Sequence, residues 1–126
     1  SEEGKRHALF KSKPNVFTTP AFNYDEVETP PSNSVLLARN KINKFEALYF
    51  TVGKSEIWGI QYHPEIPYDY MIRLIKHRSK KMIERNIFKN QNDIDQHIKS
   101  IERAKIELSD EKRTIELKNW LEYISN

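Results

Sequence analysis

A chain of 126 residues with 37% hydrophobic and 31% charged residues is the size of one domain, or of part of a larger one, and falls in the globular range. The absence of cysteine excludes disulfides and thiolate metal sites and fits a reducing, cytoplasmic setting, and no apolar run reaches the roughly 18 residues of a membrane span. A net charge of +3 permits a weak attraction to anions without marking a nucleic-acid-binding protein.

In chain order, the opening SEEGKRHALF is charged and lacks the apolar core of a signal peptide. Residues Asn15–Thr19 (NVFTT) are β-branched and aromatic and are expected to form a strand. The stretch that follows holds Pro30-Pro31 and a Ser/Asn cluster, which cannot continue a ladder, so it is expected to be a loop. Ser34–Asn40 and Phe45–Val52 read as the next strands, and Gly53–Glu56 as a turn with Gly53 free to take positive φ. Ile57–Tyr62 (IWGIQY) is apolar on both faces: Ile57, Gly59 and Gln61 share one, Trp58, Ile60 and Tyr62 the other. Such a run predicts a strand covered on both sides, as at the centre of a layered sheet.

After Pro67 the period becomes helical. Residues 68–86 place Met71, Leu74, Ile75, Met82 and Ile83 on one stripe. A second helix is expected from Asp93 to Leu108, carrying Ile94, Ile98, Ile101 and Leu108, with Asn92 or Asp93 as its cap. Ser109 is expected to cap a third, with Asp110 and Glu111 in its first turn and an apolar face of Leu117, Trp120, Leu121 and Ile124. Taken alone, strands followed by three helices describe an antiparallel α+β domain. The two-faced strand Ile57–Tyr62 asks for cover that a preceding half would supply.

The chemistry concentrates where that strand stops, on Tyr62-His63-Pro64-Glu65. Pro64 disfavours the helical region for His63 and keeps it extended at the strand end, the edge of an open sheet where ligands bind. Glu65 is close enough to accept an N–H from the imidazole, which would fix its tautomer. This is the base-and-orienter half of a nucleophilic triad. The plainer alternative is a helix start, since proline at a first helical position and glutamate in a first turn are ordinary signals.

The longer context, GIQYHPE, resembles the C-terminal signature of the class I glutamine amidotransferases: Gly, an aliphatic, Gln, an aromatic, then His-Pro-Glu. The upstream stretch NYDEVETPPSNSVLLARN resembles that family's loop and following strand, and FEALYF and EIWGIQYHPE its next two strands. The likeness runs in order from about Leu9 to Leu74 and is nearest to the glutaminase domain of GMP synthase and its stand-alone relatives.

The resemblance implies an α/β fold, the C-terminal portion of a flavodoxin-like three-layer domain, with strands followed by three helices. Residues 1–91 would belong to the amidotransferase domain proper and 92–126 to a helical extension of it. It also implies hydrolysis of glutamine to glutamate and ammonia by a Cys-His-Glu triad, with no cofactor and no metal. His63 matches the general base and Glu65 the third triad member. Phe22, Asn23 and Tyr24 match the loop whose backbone lines the glutamine pocket, although the family usually has Ser-His where this chain has Phe22-Asn23. The cysteine belongs to an N-terminal half not found in these 126 residues, so the expectation is a C-terminal fragment, inactive alone. Its partners would be glutamine, that missing half and an ammonia-accepting synthetase, with no nucleic acid and no membrane. Two alternatives stand beside this: hydrolysis of another γ-glutamyl amide, and a non-catalytic binding or regulatory module using the basic cluster Lys76–Lys81, whose plainer reading is a solvated helix face.

Overall fold

The structure, a computed structural model that describes residues 1–23 and 25–126, divides into two compact units, Ser1–Glu65 with Glu111–Asn126 and, separately, Ile66–Asp110. It is a mixed α/β fold in which a small antiparallel sheet is followed by several helices.

In the first unit, apolar alternation builds β1 (Val35–Ala38), β2 (Ala47–Val52) and β3 (Ser55–Ile60) into a sheet of order β1-β2-β3. The register pairs Leu36 with Leu48, Leu48 with Gly59, Tyr49 with Trp58 and Ala47 with Ile60. Gly53, at φ +60, opens the two-residue turn between β2 and β3, and Ser55 and Glu56, expected in the turn, already belong to the strand. One face packs Leu9, Phe10, Leu37, Ala47 and Tyr62 into a core, with Phe17, Val35, Tyr49, Trp58 and Ile60 against it.

Of the strand expectations, one reaches beyond these residues and one fails. Among the described residues β3 lies at the edge of the sheet and Ile57 to Ile60 are half-buried, so the cover expected on both of its faces is not supplied within this chain. Residues 15–19 are not a strand. Their side chains favour an extended chain, but a strand also needs a ladder partner, and among the described residues they have none. Phe17 packs against the core, and just beyond the segment the His63 N–H donates to the Pro20 carbonyl at 2.8 Å.

Ahead of the sheet stands a short helix the sequence did not announce, α1 (Glu2–Arg6), capped by Ser1, whose Oγ accepts from Gly4 N–H at 2.8 Å. A Cβ on Gly4 would stand 2.0 Å from the Leu37 carbonyl oxygen, so α1 approaches β1 only because this residue has no side chain. Gly4→Ala is expected to cost about 1–3 kcal/mol, read as a lower urea midpoint with unchanged slope. A midpoint equal to wild type would mean that α1 is not seated on β1 in solution.

The third expected helix arrives in two pieces, α4 (Asp110–Arg113) and α5 (Ile115–Ser125), broken at Thr114. The facing of α5 also differs from expectation. Leu121 and Ile124 are more than half exposed and Trp120 nearly so, whereas Glu116 is buried. Polar contacts decide this. Glu116 bonds Lys13 and Tyr62, Asn119 donates to the carbonyls of Leu9 and Lys11 (2.8 and 2.9 Å), and the Tyr123 hydroxyl donates to Glu56 at 2.7 Å.

The second unit is a helical hairpin of α2 (Tyr68–Glu84) and α3 (Gln91–Glu107), closed by Met71, Ile72, Ile75 and Met82 against Ile94, Ile98 and Ile101. The cap of α3 is Asn90, ahead of the expected Asn92 or Asp93; its Oδ1 accepts from Asp93 N–H at 3.0 Å. Asn86, at φ +57, ends α2, a conformation asparagine tolerates better than most residues.

Candidate active site

Three consecutive residues define the site, and each is fixed differently. Tyr62 points into the core, 3% exposed, and its hydroxyl donates to Glu116 Oε1 at 2.8 Å. Burial first, and then the Glu116 charge and hydrogen bond, push the phenol far above its usual range, so it stays a neutral donor. His63, with its side chain about one-third exposed, projects outward. Pro64 is fully buried, and its carbonyl accepts from Arg113 Nη1.

Neither Pro64 nor Glu65 is helical. They lie in a turn, and α2 begins only at Tyr68, after Pro67. The plainer sequence alternative, a helix start at His-Pro-Glu, is therefore not what the chain adopts. The turn instead folds Glu65 back on the imidazole: His63 Nδ1 and Glu65 Oε1 are 2.7 Å apart. Burial raises the Glu65 carboxyl, but the bond from His63, a backbone bond and the charges of His63 and Arg113 outweigh it and hold the group below its usual value. An ionised carboxylate only accepts, so Nδ1 carries the proton of this contact, and in the neutral form of such a ring the lone pair lies on Nε2. The pair is accessible to solvent, with the His63 and Glu65 side chains 36% and 54% exposed.

The loop assigned to substrate contact is only partly in view. Phe22 is half-buried; Asn23 is exposed, its amide donating to the Asp25 carbonyl at 3.1 Å; Tyr24 lies outside the described residues. The backbone bond between His63 and Pro20 ties the start of this loop to the strand end. A cavity of about 490 Å³ is lined by Lys13, Phe17, Thr19, Arg39, Glu46 and Tyr62 among others; His63 and Glu65 do not line it. Among the described residues no cluster of His, Asp and Glu could hold a metal ion, and no helix is long and apolar enough to cross a membrane.

Sequence reasoning missed Lys13, Arg113 and Glu116. The Lys13–Glu116 ion pair spans 2.7 Å with both side chains 1% exposed. In sequence, Arg113 and Glu116 sit in the run SDEKRTIE, which reads as a solvated helix start, and Lys13 is 103 residues from its partner. The available signal was positional: Glu116 and Asn119 are one turn apart on a helix whose apolar stripe lies elsewhere.

No family model and no solved structure matches the chain. Two curated proteins do. The γ-glutamyl-L-1-hydroxyisopropylamide hydrolase of a Pseudomonas species is 26% identical over 137 aligned positions, covering 96% of this chain and 46% of that protein. One subunit of the glutamine-hydrolyzing GMP synthase of Methanococcus aeolicus is 40% identical over 58 residues, 46% of this chain and 30% of that protein. The chain thus spans less than half the length of either curated relative. It carries no cysteine. Its homology to the class I glutamine amidotransferases, a GMP synthase glutaminase among them, is distant and partial.

Proposed function

We propose that the chain supplies the histidine and glutamate of a Cys-His-Glu triad that hydrolyses the side-chain amide of glutamine. His63 is the general base, Glu65 its orienter, and the thiolate comes from residues outside these 126. The observation that carries the reading is the 2.7 Å contact between His63 Nδ1 and Glu65, which leaves Nε2 free to take a thiol proton. Once the thiolate attacks the amide carbon, the protonated imidazole returns that proton to the leaving ammonia, and water then releases glutamate. An imidazole without a thiolate forms no acyl-enzyme, so this chain alone should be inert toward glutamine.

The half-buried faces of β3 and the segment 15–19, whose strand-favouring side chains have no ladder partner among the described residues, support the companion proposal, that this sheet is one part of a larger flavodoxin-like layer. Phe22, Asn23 and Tyr24 are proposed to border the glutamine pocket, with Asn23 replacing the family's usual histidine. The ammonia acceptor would be a synthetase.

A second reading has its own support. The relative that aligns along 96% of the chain is a hydrolase of an N-substituted γ-glutamyl amide. The same triad suits that substrate, with an amine leaving in place of ammonia. A panel separates the two: glutamine, a γ-glutamyl N-alkylamide and an α-amide control, given to the chain together with its cysteine-bearing portion. Release of ammonia from glutamine with at least tenfold preference supports the first reading, and the reverse preference the second. Hydrolysis of neither would return the chain to a non-catalytic, regulatory role.

A further inference from the structure

We propose that the helical turn joining α4 to α5 is the positioning device of the dyad: Arg113 and Glu116 hold the two chain neighbours of His63 and thereby set where its imidazole points. The inference rests on the amidotransferase reading for its effect on turnover, but not for its effect on the dyad itself.

The geometry is that of a clamp. Arg113 and Glu116 are three residues apart, on either side of the break at Thr114. Arg113 Nη1 donates to the carbonyl of Pro64, the residue after His63. Glu116 Oε1 accepts from the hydroxyl of Tyr62, the residue before it. His63 itself is tied through its N–H to the Pro20 carbonyl. Residues 62, 63 and 64 are thus each anchored to an element distant in sequence, and only the imidazole of His63 keeps rotational freedom. Its bond to Glu65 then removes most of that.

The anchors are buried while the dyad is not. Tyr62, Pro64, Arg113 and Glu116 are all under a tenth exposed, whereas the Glu65 side chain is 54% exposed. An exposed dyad has no packing of its own to direct it, so its geometry must come from the buried layer beneath. That layer is ionic. Lys13 Nζ satisfies the second Glu116 oxygen at 2.7 Å and also donates to the Lys112 carbonyl at 3.1 Å. Apolar residues of similar volume usually stabilise such a place as well or better, and directional bonds add what packing lacks, a fixed orientation. Displacing a base by about an ångström is enough to lose up to a hundredfold in rate.

The test is made first on this chain, by following the Glu65 carboxyl carbon and the His63 ring by NMR across acid pH. The groups facing Glu65 are His63 and Arg113. Arg113→Gln is expected to raise the Glu65 midpoint toward its ordinary value and to move the His63 Nδ1 resonance. Arg113→Lys, which keeps the cation without the guanidinium fork, is expected to give a smaller displacement of the same sign. Should the glutamine variant not fold, the lysine variant is read in its place. A folded variant with the Glu65 midpoint and His63 resonances of wild type would overturn the clamp. A purely structural role would lower the melting temperature and leave the His63 ring resonances of Arg113→Lys, which keeps the charge, in place; a Glu65 midpoint moved by charge loss alone, with the ring resonances unmoved, would overturn the clamp as well. In the assembled enzyme, Arg113→Lys is expected to lower kcat about tenfold with KM kept within about twofold; equal kcat would also overturn the proposal. If His63→Ala leaves hydrolysis intact, the amidotransferase reading fails, while the NMR comparison still decides the clamp.

Discussion

On the proposed triad reading, replacing His63 by alanine is expected to lower amide hydrolysis by the chain together with its cysteine-bearing portion at least about a thousandfold. The imidazole faces Glu65 through Nδ1 at 2.7 Å, and its Nε2 is the position proposed to take the thiol proton. Without it the thiol has no base and the departing amine no acid, so both halves of the reaction suffer. KM should move little, because His63 bonds a proton in flight and not the resting amide. Glu65→Gln should fall between wild type and His63→Ala: the amide can still accept from Nδ1, but no longer favours the charged ring. The sign of the pH dependence follows from the lowered Glu65 carboxyl. Its stabilising contribution is present above the ordinary carboxylate value and is lost as pH falls through the lower folded value. Protonation of Glu65 therefore sets no limb near neutrality; its own acid limb lies below the usual carboxylate range. Steady-state kinetics over pH 4 to 9 checks both statements, and full turnover in His63→Ala would remove the triad from consideration.

The largest expected effect on stability comes from Glu116→Ala, about 3–5 kcal/mol. The carboxylate is 1% exposed and satisfies two buried groups at once, the Lys13 ammonium at 2.7 Å and the Tyr62 hydroxyl at 2.8 Å. Deleting it leaves a cation with a side chain 1% exposed and a phenol 3% exposed, both short of a partner. A loss of that size is a large part of the 5–15 kcal/mol typical of a whole domain, so the variant is expected to populate the unfolded state measurably. Removing the ion pair as a unit tells the pair from the site. Lys13→Met with Glu116→Leu should recover much of the loss, because two apolar groups replace two charges, leaving the Tyr62 hydroxyl without its acceptor and the Lys112 carbonyl without the Lys13 donor. Urea unfolding of the two single variants and the double variant completes the cycle. A cost below about 1 kcal/mol for Glu116→Ala would place that carboxylate in water.

Much of this protein was settled by local sequence. Period and β-branching were enough to locate β1, β2 and β3 within a few residues, and Gly53 marked their second turn because a two-residue hairpin needs positive φ there. The helices α2 and α3 followed from the isoleucine and methionine stripes, and the His63–Glu65 contact from two residues held apart by a proline. Each of these depends on interactions a few residues long. What only the tertiary structure decided depends on partners far apart in the chain. Residues 15–19 have strand chemistry but, among the described residues, no neighbour to pair with, and propensity supplies no ladder. β3 reads as a strand covered on both faces, and among the described residues it stands at the sheet edge with those faces half-buried. Above all, α5 turns Glu116 and Asn119 inward and Leu121 and Ile124 outward. Its amphipathic stripe forecast the reverse, because hydrophobicity measures transfer from water and takes no account of a buried cation and phenol, brought together from positions 13 and 62, waiting for one carboxylate.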